Sequence, residues 1–479
     1  MGESLMAAGG RSASSGTSRR PAFRLGGDGL ANNLPFYLYL ILLAACFAGG
    51  GGSRDDVLSL LYVRPVAALC LIAFLFLPGP LDFRAIRMPF WLLVWFTLLT
   101  AIHLIPLPAD WWAALPGREP FVPGAELMGI SQPWRPISLA PDLTRNALAS
   151  MIVPFAALIG FAKLDPTQRE HLITPIIVLS LFSALLAVLQ LASGGASSFY
   201  LYRITNEGAA VGAFANRNHQ AMLLAVTLPM LAIWASRMRG DAQARQIKRA
   251  SIVLVAVLFL LMLMVTGSRA GLVLGGVASF WAGFQYIQER AVRRGRPAAH
   301  GRSLILAFVA VIAIGGALTF LAFGRAETLQ RLAANDFQVE QRVQIFPRLV
   351  ALARDYFPVG SGLGSFDPVF RAGEPLELLS AGYLNHAHND LLELAITGGV
   401  PALVLLLVLI GWWLWRSVAA FRLGESYAVL GSATVLLLLI ASLVDYPLRT
   451  PMLTVLFSVA CGWLGGTARP RNRSEALAS

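Results

Sequence analysis

Charge is scarce in this chain. Asp, Glu, Lys and Arg together make up 13% of its 479 residues, about half the ~25% usual in soluble domains. Cysteine is nearly absent as well. Cys46, Cys70 and Cys461 each lie inside an apolar run with no paired spacing, which excludes a disulfide framework and a cysteine metal or redox motif and leaves core packing. No internal repeat is visible. What fills the chain is apolar side chain: 56% of the residues are hydrophobic and the mean hydropathy is +0.65. A compact soluble enzyme and a disordered chain are both excluded.

A bilayer-crossing helix takes about 20 residues, so twelve would use about 240, half the chain. Apolar runs of about that length recur at 34–50, 57–77, 88–107, 144–162, 172–192, 219–236, 251–267, 270–287, 303–323, 391–414, 426–444 and 450–467. Helices satisfy their own backbone polar groups in lipid, so each run reads as a transmembrane helix. The 57–77 run, which carries Arg64 and Pro65, is the least regular of them.

Lys and Arg set the orientation. The seven segments on the amino-terminal side of twelve such spans hold 23 of the 38 basic residues and 9 of the 26 acidic ones, a net +14 against −2 elsewhere. The positive-inside rule then puts both termini in the cytoplasm. The overall charge of +12 is topological on this reading, and it implies no nucleic-acid partner.

The expected plan is an all-α polytopic membrane protein. Residues 1–33, rich in Gly, Ser, Ala and Arg with no apolar stretch, read as a disordered cytoplasmic tail and not as a cleaved signal peptide. Residues 34–323 hold helices 1–9, with a periplasmic loop at 108–143 whose Trp111, Trp112 and Trp134 suggest a segment lying at the membrane interface. Residues 324–390 form a large periplasmic loop domain between helices 9 and 10. Residues 391–467 hold helices 10–12, and 468–479 is a second cytoplasmic tail.

Ionisable residues at span ends are costly and therefore informative. Four groups gather on the outward side: Asn216-Arg217-Asn218-His219, Ser268-Arg269, the run His386-Ala387-His388-Asn389-Asp390 with Glu393, and Asp445 and Arg449 around Tyr446-Pro447. If a helix begins near residue 385, then His386, Asp390 and Glu393 share one face. His388 then points about 200° from His386. Histidine among carboxylates and amides suits general-base work, because its ordinary pKa is about 6.5. The same residues also suit a helix cap with interfacial polar groups. The H-x-H-x-D pattern resembles a metal-ligand run, but position 391 is Leu and no second histidine cluster exists, so no metal ligand set is assigned. Arg217 and Arg269 fit a phosphate-bearing substrate, which guanidinium grips with two donors; snorkelling to lipid headgroups is the other reading.

In the large loop, Gln341-Arg342 begins an expected amphipathic helix with Phe346, Leu349 and Leu352 inward, ended by Phe357-Pro358. The run Gly360-Ser361-Gly362-Leu363-Gly364-Ser365-Phe366 follows. It either offers backbone N–H groups to phosphate or makes a tight turn that needs glycine. It lacks the lysine and helix of a phosphate-binding loop.

Several stretches, in order, resemble the superfamily of O-antigen ligases and O-antigen polymerases, bacterial envelope glycosyltransferases. They are FANRNH (214–219), TGSRAG (266–271), GSGLGSFDPVF (360–370), HAHNDLLELAITGGVPA (386–402) and DYPLRTP (445–451). In the amino-terminal half only the span layout and QPWRPISLAPDLT (132–144) are similar. The ligase pattern sets Gly, Thr or Tyr where this chain has Ala402, while His388, Asn389 and Gly399 fit it.

The resemblance implies a fold of about 12 transmembrane helices of the C-type glycosyltransferase kind in the bacterial inner membrane. It implies a periplasmic active site that needs no cofactor and no metal. The donor would be an undecaprenyl-diphosphate-linked glycan, and the acceptor a glycan or lipid A core, with membrane lipids as the surrounding partners. His388 would be the catalytic base. Arg217, Arg269 and Arg342 would hold diphosphate or glycan, with Asn218, His219, His386, Asn389, Asp390 and Arg449 around them. The competing class is a flippase or other polysaccharide transporter for lipid-linked sugar. A transporter would carry its polar residues near mid-membrane, often in duplicated halves; here they collect at one face.

Overall fold

The computed structural model describes residues 27–194, 197–237, 241–293, 337–376 and 384–466. The expected ninth span, 303–323, lies outside the described residues, as do 324–336 and 377–383 of the expected loop domain. The helices run α1 Gly27–Gly49, α2 Leu60–Phe76, α3 Phe83–Ile102, α4 Ala109–Ala113, α5 Pro123–Leu127, α6 Pro141–Ser150, α7 Ile152–Lys163, α8 Pro166–His171 and α9 Ile173–Ala192. They continue with α10 Arg217–Ser236, α11 Ala242–Val265, α12 Arg269–Arg293, α13 Phe337–Asp355, α14 Phe366–Ala372, α15 Asp390–Leu423, α16 Ser426–Ala441 and α17 Pro451–Gly465.

The protein is a polytopic helical membrane protein. Among the described residues, seven helices are long and apolar enough to cross a bilayer, and four shorter apolar helices accompany them. Every expected span except 303–323 falls on one of these eleven. The first begins earlier than expected: residues 27–33, assigned to the disordered tail, are the opening turns of α1. Arg64 and Pro65 sit inside α2, and the guanidinium reaches Asn146 and Ser150 on α6. A neighbouring polar face thus tolerates a charge that the apolar run alone would not.

Helix starts follow side-chain chemistry. Asn216 accepts from the Asn218 N–H at α10, Asp241 from Ala244 at α11, and Asn389 from Leu392 at α15, which satisfies N–H groups that a first turn leaves open. α10 is buried on nearly every face and packs against α9, α11, α12 and α16. A helix apolar all round belongs in the middle of a bundle.

Helix α15 is broken at Gly399, where φ is 59° and ψ is −153°. An added Cβ there would lie 2.1 Å from the Pro358 carbonyl oxygen, so only glycine fits. Pro401 has no N–H to give Thr397, and the Val400 N–H turns to Pro358 O. The orphaned carbonyls of Ile396 and Thr397 are taken by the N–H groups of Ser361 and Gly362, each at 2.9 Å. The Gly360–Ser365 segment therefore completes the helix ladder from outside.

A two-residue antiparallel ladder, Pro106–Leu107 with Arg135–Pro136, closes the 104–140 loop. Trp111 and Trp134 are exposed, but Trp112 is buried. Its indole N–H donates to Pro136 O, so it anchors the loop from within. Arg118 pins the same loop to Gly360 O and Ile137 O, and burial pulls its pKa down to about 10. α13 faces inward with Ile345, Leu349 and Leu352, not with Phe346, which is exposed. The stripe Ile345, Leu349, Leu352, Tyr356 keeps helical spacing, and Phe346 sits about 100° off it.

Candidate functional site

The polar groups singled out in the sequence converge at one end of the bundle. Backbone bonds draw the connecting segments together there: Met452 N–H to Gly50 O at 3.0 Å, Ala215 N–H to Gly51 O at 3.1 Å, and Asp390 N–H to Ser442 O at 2.8 Å.

Helix α15 does not begin near residue 385. It begins at Asp390, because Asn389 takes the cap position with extended backbone, and His388 before it has φ of 50°. A left-handed histidine is uncommon and strained, and such strain concentrates at functional positions. The turn aims the imidazole at the segment between α16 and α17. There His388 Nδ1 lies 3.2 Å from Asp445 Oδ1. Asp445 is fully buried, and its carboxylate also accepts from Asn218 Nδ2 at 2.6 Å and the Tyr446 N–H at 3.0 Å. An ionised carboxylate only accepts; with Asp445 ionised and the imidazole neutral, Nδ1 is the donor of the pair and the lone pair sits on Nε2.

A second ionic group stands beside this one. Arg449 donates from Nε to Asp390 Oδ1 and reaches Glu393 Oε1 with Nη2, both at 3.1 Å. Glu393 also meets His386 Nδ1 at 3.0 Å and accepts the Ala387 N–H at 2.8 Å. His386 and Glu393 do meet, then, but across a loop and not along a helix face. Burial tends to discharge Arg449, yet the two carboxylates outweigh it and hold its pKa above the ordinary arginine value. Tyr446 joins the two groups: its ring centroid is 4.4 Å from that of His386, 4.8 Å from His388 and 5.1 Å from His219.

The remaining residues divide by position. Arg217 opens α10 with its N–H on Asn206 Oδ1, and its Nη1 would lie 3.6 Å from a Cβ added to Gly267. That glycine is two residues from Arg269, so the two arginines share one corner. His219 is buried, with Nε2 3.9 Å from Asp445 Oδ1; it packs beside the carboxylate and does not line an open surface. Asn389 spends its side-chain oxygen on the helix cap. Arg342 lies on α13, and its side chain lies outside the described residues. The glycine run is a close-packed turn: Cβ atoms on Gly360, Gly362 and Gly364 would meet Thr397 O, Ser138 and Leu143 O. Its N–H groups from Gly360 to Leu363 are already bonded within the protein, which sets aside the phosphate-cradle reading. Among the described residues, no group of three or more His, Cys, Asp or Glu is arranged to hold a metal ion.

Residues 254–407 match the family model described as O-Antigen ligase. The chain carries an O-antigen ligase domain. The match takes in Arg269, Arg342, the His386–Asp390 run and the Gly399 kink, and it supports an O-antigen ligase-like family for this part of the chain. Arg217, Asn218, Asp445 and Arg449 lie outside the matched segment but are tied to it by the contacts above. No curated protein matches the chain.

Asp445 is the residue the sequence reading undervalued. It was visible as a carboxylate at a span end, but its partner His388 lies 57 positions away, and no local pattern links them. Glu393 and Tyr446 entered the reading only as neighbours, yet they hold the ionic group and the three imidazoles in place.

Proposed function

We propose that this protein is a glycosyltransferase that ligates or polymerises an undecaprenyl-diphosphate-linked glycan at the periplasmic face of the bacterial inner membrane. The His388–Asp445 contact carries the reading. A buried carboxylate on Nδ1 fixes the imidazole tautomer and stabilises the imidazolium that forms when Nε2 takes a proton. An acceptor-sugar hydroxyl would lose its proton to Nε2 while its oxygen attacks the anomeric carbon. The bond from that carbon to the diphosphate oxygen breaks, and the configuration inverts. Charge grows on the departing diphosphate, where Arg217 and Arg269 supply fixed positive charge and two donors each. Arginine is the compensating cation in this scheme, so the step needs no metal.

Arg449 does not belong to this clamp, because Asp390 and Glu393 already balance it. Its role is to hold the start of α15 against the 445–451 segment.

Gene deletion followed by glycan analysis tests the reading. Bare lipid A core with intact free chains identifies a ligase, accumulated single repeats identify an O-antigen polymerase, and loss of secreted polymer identifies an exopolysaccharide polymerase. An unchanged glycan profile overturns the proposal.

A further inference from the structure

A cavity of about 690 Å³ runs between α2, α3, α6, α7, α15, α16 and α17. It adjoins the candidate transfer site without including its proposed base or clamp: Arg217, Arg269 and His388 do not line it, while His386, Asp390 and Arg449 form part of its wall. Its volume falls within the ~300–1,000 Å³ of small-molecule sites. The deep part is apolar, walled by Leu93, Phe96, Leu409, Trp413, Phe457 and Cys461. Leu391 and Leu443 on its lining are both exposed, so the cavity is open to the surface beside its polar end.

The polar end holds a charge the protein does not balance. Arg64 lines the cavity, and its Nη2 donates to Asn146 O, Asn146 Oδ1 and Ser150 Oγ at 3.2, 2.8 and 2.7 Å. All three acceptors are neutral. Its Nε is buried with no hydrogen-bond partner, and among the described residues no carboxylate reaches it. The other two arginines at this end are compensated, Arg54 by Asp56 and Arg449 by Asp390 and Glu393. Arg64 is partly buried, and a charge taken from water without a counterion is costly; here an open apolar shaft adjoins it.

We propose that the cavity is a binding site for an anionic membrane phospholipid, with its phosphate on Arg64 and one acyl chain in the shaft. Charge balance favours the bilayer lipid over a lipid diphosphate. A phosphodiester brings the single negative charge that Arg64 lacks, whereas a diphosphate would bring more charge than Arg64 balances to a wall that also carries Asp55. The site meets the transfer site along the wall made by His386, Asp390 and Arg449, where His386 packs on Tyr446, and it stands whether or not the glycosyltransferase reading holds.

Native mass spectrometry of the full-length protein in detergent tests this with phosphatidylglycerol, phosphatidylethanolamine and undecaprenyl phosphate as probes. The expected result is one retained phosphatidylglycerol per chain, with phosphatidylethanolamine held more weakly. Arg64→Gln lowers phosphatidylglycerol retention about tenfold, and Arg64→Lys keeps most of it, as expected for a charge-assisted phosphate contact. Ala147→Trp, which fills the cavity without touching the charge, lowers retention as well and serves if Arg64→Gln does not fold. Equal retention in wild type and these variants overturns the site. Equal retention of phosphatidylethanolamine overturns the role of charge, and preferential Arg64-dependent retention of undecaprenyl phosphate overturns the bilayer-lipid assignment.

Discussion

His388 Nδ1 and Asp445 Oδ1 lie 3.2 Å apart although 57 residues separate them in sequence. The strained backbone of His388 on one side and the buried Asn218 and Tyr446 contacts of Asp445 on the other fix this pair from both ends. If the imidazole is the base, the carboxylate is its orienting group. His388→Ala and Asp445→Asn should each slow glycan transfer by about 10²–10⁴-fold, the range of positioned general-base catalysis. The double variant should be little worse than either, since groups acting as one unit are not additive. Released polyprenyl diphosphate in reconstituted vesicles measures this, and full activity of His388→Ala would remove the proposed base.

Arg217 and Arg269 share the corner beside Gly267. Replacing either by Ala should cost about 10²–10³ in turnover, as for loss of one donor to a developing anion. Lys should restore part of this, because it supplies charge without the bidentate fork. Activity equal to wild type in all four variants would end the clamp idea.

Arg449 behaves differently. Its replacement by Ala takes the arginine from partly buried Asp390 and buried Glu393, and breaking a buried pair costs about 3–5 kcal/mol at most. Thermal unfolding in detergent should therefore drop sharply with Arg449→Ala, and much less with Arg449→Lys. An unchanged midpoint would show that the ionic group carries no structural weight.

Gly399→Ala should destabilise the protein. The left-handed φ alone costs about 1–3 kcal/mol for a residue with a side chain, before the collision with Pro358 O. A thermal midpoint equal to wild type would contradict the kink geometry.

Transfer in vesicles should survive EDTA, because the arginine corner supplies the positive charge. Strong inhibition that zinc reverses would return the H-x-H-x-D run to consideration as a metal site.

The helices were legible because crossing a bilayer leaves a length and a composition in the chain. Polar residues at span ends were legible because lipid makes them costly. The pairings were not. His388 meets Asp445, and His386 meets Glu393, only through loop conformation, and a helix started five residues too early misassigned the route of the second contact. Phe346 was expected inward because size suggested burial, while the spacing of Ile345, Leu349 and Leu352 decided otherwise. Arg64 looked like a flaw in a weak span; its partners Asn146 and Ser150 sit on a helix 82 and 86 positions away.

The bonds from Ser361 and Gly362 to Ile396 and Thr397 bear on assembly. The upper turns of α15 are not self-sufficient: two of their carbonyls are met by a segment made earlier in the chain and folded outside the span. Synthesis therefore delivers the cap before the helix that needs it, and the helix reaches its final shape only where that segment already stands. Cutting the chain between α14 and α15 and co-expressing the halves should reassemble the protein, whereas deleting residues 357–366 should leave a helix with an open seam beside His388.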